Sequence, residues 1–357
     1  MRFRELDGLR GIAALLVLLS HYTGAHNSYF PNDPQPMIDV WWGAFGVQLF
    51  FLVSGFVILM SAEAAQRPSD FVISRFSRLY PTYWIALAIG VIIGAAFAVP
   101  NVPLAPDVVA MNLTMVQRWF LVPNVLDVFW TLAVEMQFYV LILLLLVLTR
   151  CRLSEKLMVR VSLAWLVVCL LVAIWAFPAS YGLDPQLVPT PVKVVLNITL
   201  AAYGPLFCTG MLAFISRRAG RMHLLLIPSA IVAVAVSGLV EHWRNAVIVA
   251  IICVLFIIVS MRKQTRLLLI APLQWTGKIS YSLYLVHSIV GYVVIHQLWP
   301  FIGRPAAVLV ATGVALLVAW IMYKTAERKL SRGIRTALVR ARDRRSGGET
   351  VPLASRD

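Results

Sequence analysis

The chain is 357 residues long, 60% hydrophobic and only 13% charged, with a mean hydropathy of +0.83. No water-soluble core of this length needs so much apolar sequence, which excludes a soluble enzyme and implies an all-α, polytopic integral membrane bundle. The formal net charge of +15 is a product of loop placement and does not point to a nucleic-acid partner.

Apolar runs predict about ten transmembrane helices, near residues 9–25, 44–61, 79–99, 129–149, 158–177, 196–215, 224–240, 244–260, 275–297 and 306–324. The basic start followed by a short apolar run resembles a signal peptide, but no small-residue cleavage site follows promptly, so an uncleaved first span is expected. Placing the N-terminus in the cytoplasm leaves only Arg118, Lys193, Arg244 and Arg304 outside. All other Lys and Arg then fall on the inner side, as the positive-inside rule requires, with both termini cytoplasmic. The four cysteines lie within spans or on the inner side. No disulfide is expected there, and no Cys/His spacing suggests a metal site.

In the first span, Arg10 and His21 are eleven residues apart, a helical rise of ~16 Å. This sets a cation at the inner face and an imidazole at depth. Ionisable groups inside a membrane are costly and so are candidates for function; the alternative is an imidazole snorkelling at the outer end of the span. The second span carries Ser54 and Gly55, small residues suited to close helix packing or, less directly, to a site. Before the third span, Arg75 and Arg78 are three residues apart and share a helix face. Two guanidiniums so placed form a fork for phosphate oxygens, although spacing alone favours ordinary anchoring at the inner surface.

The fourth span opens Trp130-Thr131-Leu132-Ala133-Val134-Glu135-Met136-Gln137-Phe138-Tyr139. Glu135 is the one carboxylate well inside a predicted span, with Tyr139 one turn below, and it should face the bundle interior. It can serve as a base, as an orienting partner for a histidine, as a proton relay, or in a structural ion pair. The ninth span presents Ser280, Tyr284, His287 and Ser288 as a polar face, for which interhelical hydrogen bonding is the simplest account. The basic segment from Arg328 to Arg345 is expected either to lie on the anionic inner leaflet, with Ile334, Leu338 and Val339 dipping in, or to be solvated. Outside loops near 26–43, 100–128 and 178–195 are the natural meeting places for an outside partner. Asn27, Tyr29, Asn32, Asp33 and Trp41 are candidates there for contacting sugar rings.

Taken together, several motifs resemble the membrane acyltransferase-3 family over roughly residues 5–325. They are Leu6-Asp7-Gly8-Leu9-Arg10-Gly11 with His21, Phe50-Phe51-Leu52-Val53-Ser54-Gly55-Phe56, Arg75-x-x-Arg78-x-x-Pro81, Trp130-x-Leu132-x-x-Glu135-x-x-Phe138-Tyr139 and Ser280-Tyr281-x-x-Tyr284-Leu285-x-His287. The resemblance implies a membrane acyltransferase domain over 1–325 with a basic cytoplasmic tail over 326–357, in a bacterial inner membrane. It also implies O-acyl transfer, usually acetyl, from cytoplasmic acyl-CoA to an extracytoplasmic carbohydrate such as lipopolysaccharide, peptidoglycan, exopolysaccharide or a secreted glycoside. No SGNH hydrolase-like domain follows, so transfer is expected to be direct or through a separate protein.

Arg10, Arg75 and Arg78 then become candidates for the acetyl-CoA phosphates. His21 becomes a general base or an acylated nucleophile, with Glu135 orienting the imidazole or the acceptor hydroxyl. Tyr139, Tyr284, His287 and Ser54 are candidate substrate contacts; Tyr284 and Ser54 could also donate to an oxyanion. No metal is called for. The rival class is a proton-coupled exporter of a sugar or lipid, which would also carry buried titratable groups. The arginines gathered at one face and the lack of an internal repeat favour the enzyme.

Overall fold

The computed structural model describes residues 3–183, 187–262 and 264–345. Arg2, Lys263 and the tail from Ser346 onward, all used in the charge argument, lie outside the described residues. Every regular element among the described residues is helical.

The first helix, α1 (Arg4–Ser20), runs into a π-helical turn (His21–Ala25) and then α2 (His26–Tyr29). A 3₁₀ turn (Trp41–Phe45) leads into α3 (Gly46–Glu63), and α4 covers Pro68–Ala96. The following loop contains α5 (Pro106–Asn112). Beyond it come α6 (Phe129–Leu148), α7 (Glu155–Ser180), α8 (Thr190–Thr199), α9 (Gly204–Ala219), α10 (Leu226–Val240) and α11 (Trp243–Met261). The chain ends with α12 (Ala271–Ile302), α13 (Arg304–Met322), a second π-helical segment (Tyr323–Leu330) and α14 (Ser331–Arg345).

Each of the ten predicted spans falls on a helix. Among the described residues, eight helices are long and apolar enough to cross a membrane, counting α8 and α9 as one and α13 with its continuation as one. The other two predicted spans correspond to α1 with its π turn, which is interrupted by Arg10, and to α10, which has 15 residues.

Close helix crossings organise the bundle. Helix α12 lies against α1 and α13, and α3 lies against α9. At the α3–α9 crossing, a side chain on Gly55 would collide with the Phe207 carbonyl, and one on Gly210 with that of Leu52. At the α1–α12 crossing, a Cβ on Gly277 would overlap the Asp7 carbonyl. Small residues that let backbones approach are the expected cement where lipid removes any hydrophobic drive between helices.

The predicted sixth span is broken. Leu200 adopts a left-handed conformation with φ of 53°, ending α8 before α9 begins. The carbonyls freed at this break find partners on neighbouring helices. Gln137 Nε2 donates to Asn197 O (2.8 Å) and Ile198 O (2.9 Å), and Trp165 Nε1 donates to Thr199 O (2.9 Å). Satisfaction of this kind is what non-helical backbone at membrane depth requires.

The basic segment forms α14, tied to α4 by an ion pair between Arg342 and Asp70. Ile334, Leu338 and Val339 are half-buried along it.

Candidate active site

Helices α1, α3, α4, α6 and α12 enclose a small cavity of about 90 Å³. Arg10, Arg75 and Arg78 line it together with Ser54, Glu135, Tyr139 and Tyr284. Seven of the side chains singled out in the sequence therefore share one space, although they come from five helices.

The arginines differ in how they are held. Arg75 is buried, donates from Nη2 to Ser61 Oγ at 2.6 Å and lies over the rings of Phe71 (5.7 Å) and Tyr139 (5.8 Å). Its Nε is buried without a hydrogen-bond partner. Arg10 and Arg78 make no hydrogen bond and no salt bridge among the described residues, although both are half-buried. Two under-paired guanidiniums and a third with an idle N–H make an arrangement that favours a polyanion.

Glu135 is placed by this same cavity. Its Oε1 accepts hydrogen bonds from Ser54 Oγ at 2.5 Å and Tyr139 OH at 2.6 Å. The motif residues of α3 and α6 are thus one hydrogen-bonded unit. Farther along α12, Tyr284 OH and Thr131 Oγ1 are 2.9 Å apart, and the Phe50 ring meets Tyr284 edge to face.

His21 and His287 lie beyond Tyr284. The Tyr284 and His287 rings are 5.8 Å apart, and the His287 and His21 rings are 4.8 Å apart in a T-shaped contact. His21 begins the π turn, where the helical register widens; such turns recur at functional sites. Its Nδ1 is 2.6 Å from Tyr292 OH and 3.4 Å from Asp127 Oδ2, and Tyr292 OH in turn donates to Asp127 Oδ2 at 3.3 Å. With Tyr292 donating to the carboxylate, Nδ1 carries the proton and Nε2 is left as the acceptor. This is the logic of a base whose tautomer is fixed by a carboxylate.

His287 is fully enclosed, with Nδ1 against the carbonyls of Tyr284 (2.9 Å) and Leu283 (3.2 Å). Its Nδ1 therefore bears the hydrogen, and its Nε2 is buried without a partner. Two imidazoles thus stand side by side, each with Nε2 free to accept.

Asp127 and Tyr292 were not legible as site residues. Asp127 belongs to the loop after α4, and its position depends on how that loop folds. Asn112 is fully buried there: its Nδ2 donates to Val108 O and Pro123 O, and its Oδ1 accepts from Val125 N. The loop thus delivers Asp127 to His21 as an ordered element. Tyr292 continues the α12 row Tyr284–Ser288–Tyr292 at four-residue steps, which is the one sequence signal that could have found it. The orienting partners of His21 are Asp127 and Tyr292, while Glu135 is bound to Ser54 and Tyr139.

Two loop residues expected to face a sugar are turned inward. Asp33 is buried and holds His296 Nδ1 at 3.0 Å, and Asn27 Oδ1 accepts from Arg304 Nη2 at 3.0 Å. They tie the 26–43 loop to α12 and α13.

A helical bundle with three arginines lining one cavity and a histidine beside a carboxylate beyond it has the layout of a group-transfer enzyme that takes an anionic donor. The chain belongs to the acyltransferase family: the family model described as "Acyltransferase domain" matches residues 3–324. Among curated proteins it is 30% identical over 200 residues to Acyltransferase MdmB of Streptomyces mycarofaciens, covering 52% of this chain and 50% of the relative. It is 24% identical over 340 residues to Peptidoglycan O-acetyltransferase OatA of Listeria monocytogenes, covering 79% of this chain and 48% of that protein. It is also 36% identical over 108 residues to Exopolysaccharide production protein ExoZ of Rhizobium meliloti, covering 27% of this chain and 32% of the relative. The chain therefore spans half or less of the length of these relatives. No solved structure matches it significantly.

Proposed function

We propose that the protein is a multi-pass inner-membrane O-acyltransferase. It moves an acyl group, acetyl by the family default, from cytoplasmic acyl-CoA to a hydroxyl of an extracytoplasmic glycan such as exopolysaccharide, lipopolysaccharide, peptidoglycan or a secreted glycoside. Residues 1–325 are the transferase domain and 326–357 a cytoplasmic tail. The observation that carries this reading is the pairing of Arg10, Arg75 and Arg78 at one end of a cavity with the His21–Asp127 pair beyond the other. Arg10 and His21 are one helix rise of ~16 Å apart.

The three guanidiniums hold the phosphates of coenzyme A at the cavity mouth. A cavity of about 90 Å³ has no room for the nucleotide but suits the thioester end of the pantetheine arm, directed toward Tyr284. His21 Nε2 takes the proton of the sugar hydroxyl as its oxygen attacks the thioester carbon. Asp127 stabilises the imidazolium that forms. Tyr284, whose OH accepts from Thr131 Oγ1, keeps its own proton to donate to the oxyanion. Collapse breaks the carbon–sulfur bond, and the imidazolium returns its proton to the departing thiolate. The products are an O-acyl ester and free coenzyme A.

The decisive experiment uses purified protein in proteoliposomes with labelled acetyl-CoA and a panel of glycans. Label should move to glycan hydroxyls, and His21→Ala should abolish that movement while membrane insertion is retained. Proton-dependent sugar flux without acyl transfer or donor hydrolysis by the wild type would replace this reading with an exporter.

A further inference from the structure

A second and larger cavity, of about 560 Å³, lies at the end of α3 opposite Ser61 and Arg75. It shares Val47 with the donor cavity, and α6 forms part of the wall between the two. Trp130 and Val134 line the large cavity, whereas Thr131 and Glu135 line the small one. Its volume is in the range of small-molecule sites, ~300–1,000 Å³.

The lining has a definite chemistry. Trp130 and Tyr203 present adjoining rings, 5.4 Å apart and tilted by 37°. The Arg118 guanidinium lies over the Trp130 ring at 5.6 Å and donates to Asn197 Oδ1 at 2.6 Å. Asn245 Nδ2 donates to Glu241 Oε2 at 2.7 Å, leaving the amide oxygen and the second carboxylate oxygen for other donors. Gln48 Oε1 is buried without a partner. The break between α8 and α9 contributes Asn197, Leu200 and Tyr203 to the same wall, and irregular backbone at this depth is tolerated where it borders a cavity.

Flat aromatic faces beside planar amides and a carboxylate match a pyranose ring, whose C–H face is apolar and whose rim is hydroxyls. A lipid tail would leave Gln48 Oε1 and the Asn245 amide oxygen unmet, and an inorganic anion would leave the rings unused. We infer that this cavity is a subsite for a pyranose residue of the acceptor glycan, holding one ring while the neighbouring residue presents its hydroxyl at His21. This rests on the acyltransferase reading and adds the acceptor's class and place.

The test measures steady-state transfer from labelled acetyl-CoA by the full chain in proteoliposomes, with p-nitrophenyl glycosides as acceptors. The β-glucoside, β-galactoside and β-N-acetylglucosaminide are each compared with the matching disaccharide. The disaccharides should show the lower KM. Asn245→Leu and Tyr203→Ala should each raise the disaccharide KM about 5–10-fold, the scale of one or two lost neutral contacts, with the acetyl-CoA KM unchanged. The smaller Asn245→Ala serves if Asn245→Leu fails to fold, and an unchanged donor KM in the same preparation certifies folding. Unchanged disaccharide KM in the variants overturns the subsite. So does wild-type hydrolysis of acetyl-CoA without transfer to any pyranoside, with the donor half of the mechanism left standing. Absence of any acetyl-CoA turnover by the wild type removes the acyltransferase reading itself, and the subsite with it.

Discussion

Asp127 Oδ2 lies 3.4 Å from His21 Nδ1, and both meet the hydroxyl of Tyr292. The carboxylate comes from a loop and the imidazole from a helix 106 positions earlier. Asp127→Asn preserves the shape of this contact and removes its charge. Transfer to acceptor should fall by about 10²-fold or more in kcat, the scale of lost acid–base assistance, with the acetyl-CoA KM unchanged. Tyr292→Phe should cost less, because the carboxylate remains. Equal rates for Asp127→Asn and wild type would leave His21 to act without an orienting carboxylate.

The arginines should behave as a donor clamp. Arg75→Ala/Arg78→Ala should raise the acetyl-CoA Kd at least 10-fold, since hydrogen bonds to charged groups are each worth ~1.5–3 kcal/mol. The double Lys variant should recover only part of the loss, because an ammonium cannot reproduce the planar fork. Calorimetric titration of purified protein reads this directly. A Kd unmoved in the double Ala variant would return these residues to anchoring at the inner surface.

Helix contact at α1–α12 should be intolerant of bulk. Gly277→Val forces a side chain against the Asp7 carbonyl, and overpacking of this kind costs ~1–3 kcal/mol. The thermal midpoint of the detergent-solubilised protein should drop. Because Arg10 lies on the displaced helix, acetyl-CoA affinity should weaken alongside. Full stability in Gly277→Val would mean that the crossing is looser than its geometry implies.

Orientation can be checked by chemical labelling. With both termini in the cytoplasm, a single cysteine replacing Asp107 should react with an impermeant maleimide in intact cells. One replacing Arg221 should react only after permeabilisation; both positions are exposed. The reverse pattern would invert the bundle and place the arginines outside, away from acyl-CoA.

Hydropathy located the helices well because a lipid-facing helix must be apolar along its whole length. It placed the fourth span at 129–149, beside the observed α6 at Phe129–Leu148. It failed where a helix continues beyond the apolar stretch. Helix α4 starts at Pro68, not near 79, because a proline in its first turn and the Asp70 carboxylate accepting from Arg67 N–H begin it there, while Asp70, Arg75 and Arg78 lower the hydropathy of its first three turns. The break at Leu200 is marked only by Gly204-Pro205, where α9 restarts with a proline in its first turn, a signal that the hydropathy of the whole run masks.

The site was legible where several of its residues lie on one helix at fixed spacing, as with Glu135 and Tyr139. The contact between His21 and Asp127 was not. It depends on a loop whose path is set by one buried amide, Asn112, and no periodicity reports such a path.

Within α6, neighbouring residues face different spaces: Trp130 and Val134 border one cavity, Thr131 and Glu135 the other. A single helix, with Val47 beside it, thus acts as a partition. In a bilayer, a partition of this kind would let two water-soluble reactants be admitted from opposite compartments without a continuous aqueous file between them. On the proposed reading, only the acyl group and one proton would need to change sides of the barrier, so an outside acceptor could be modified without short-circuiting the ion gradients of the membrane.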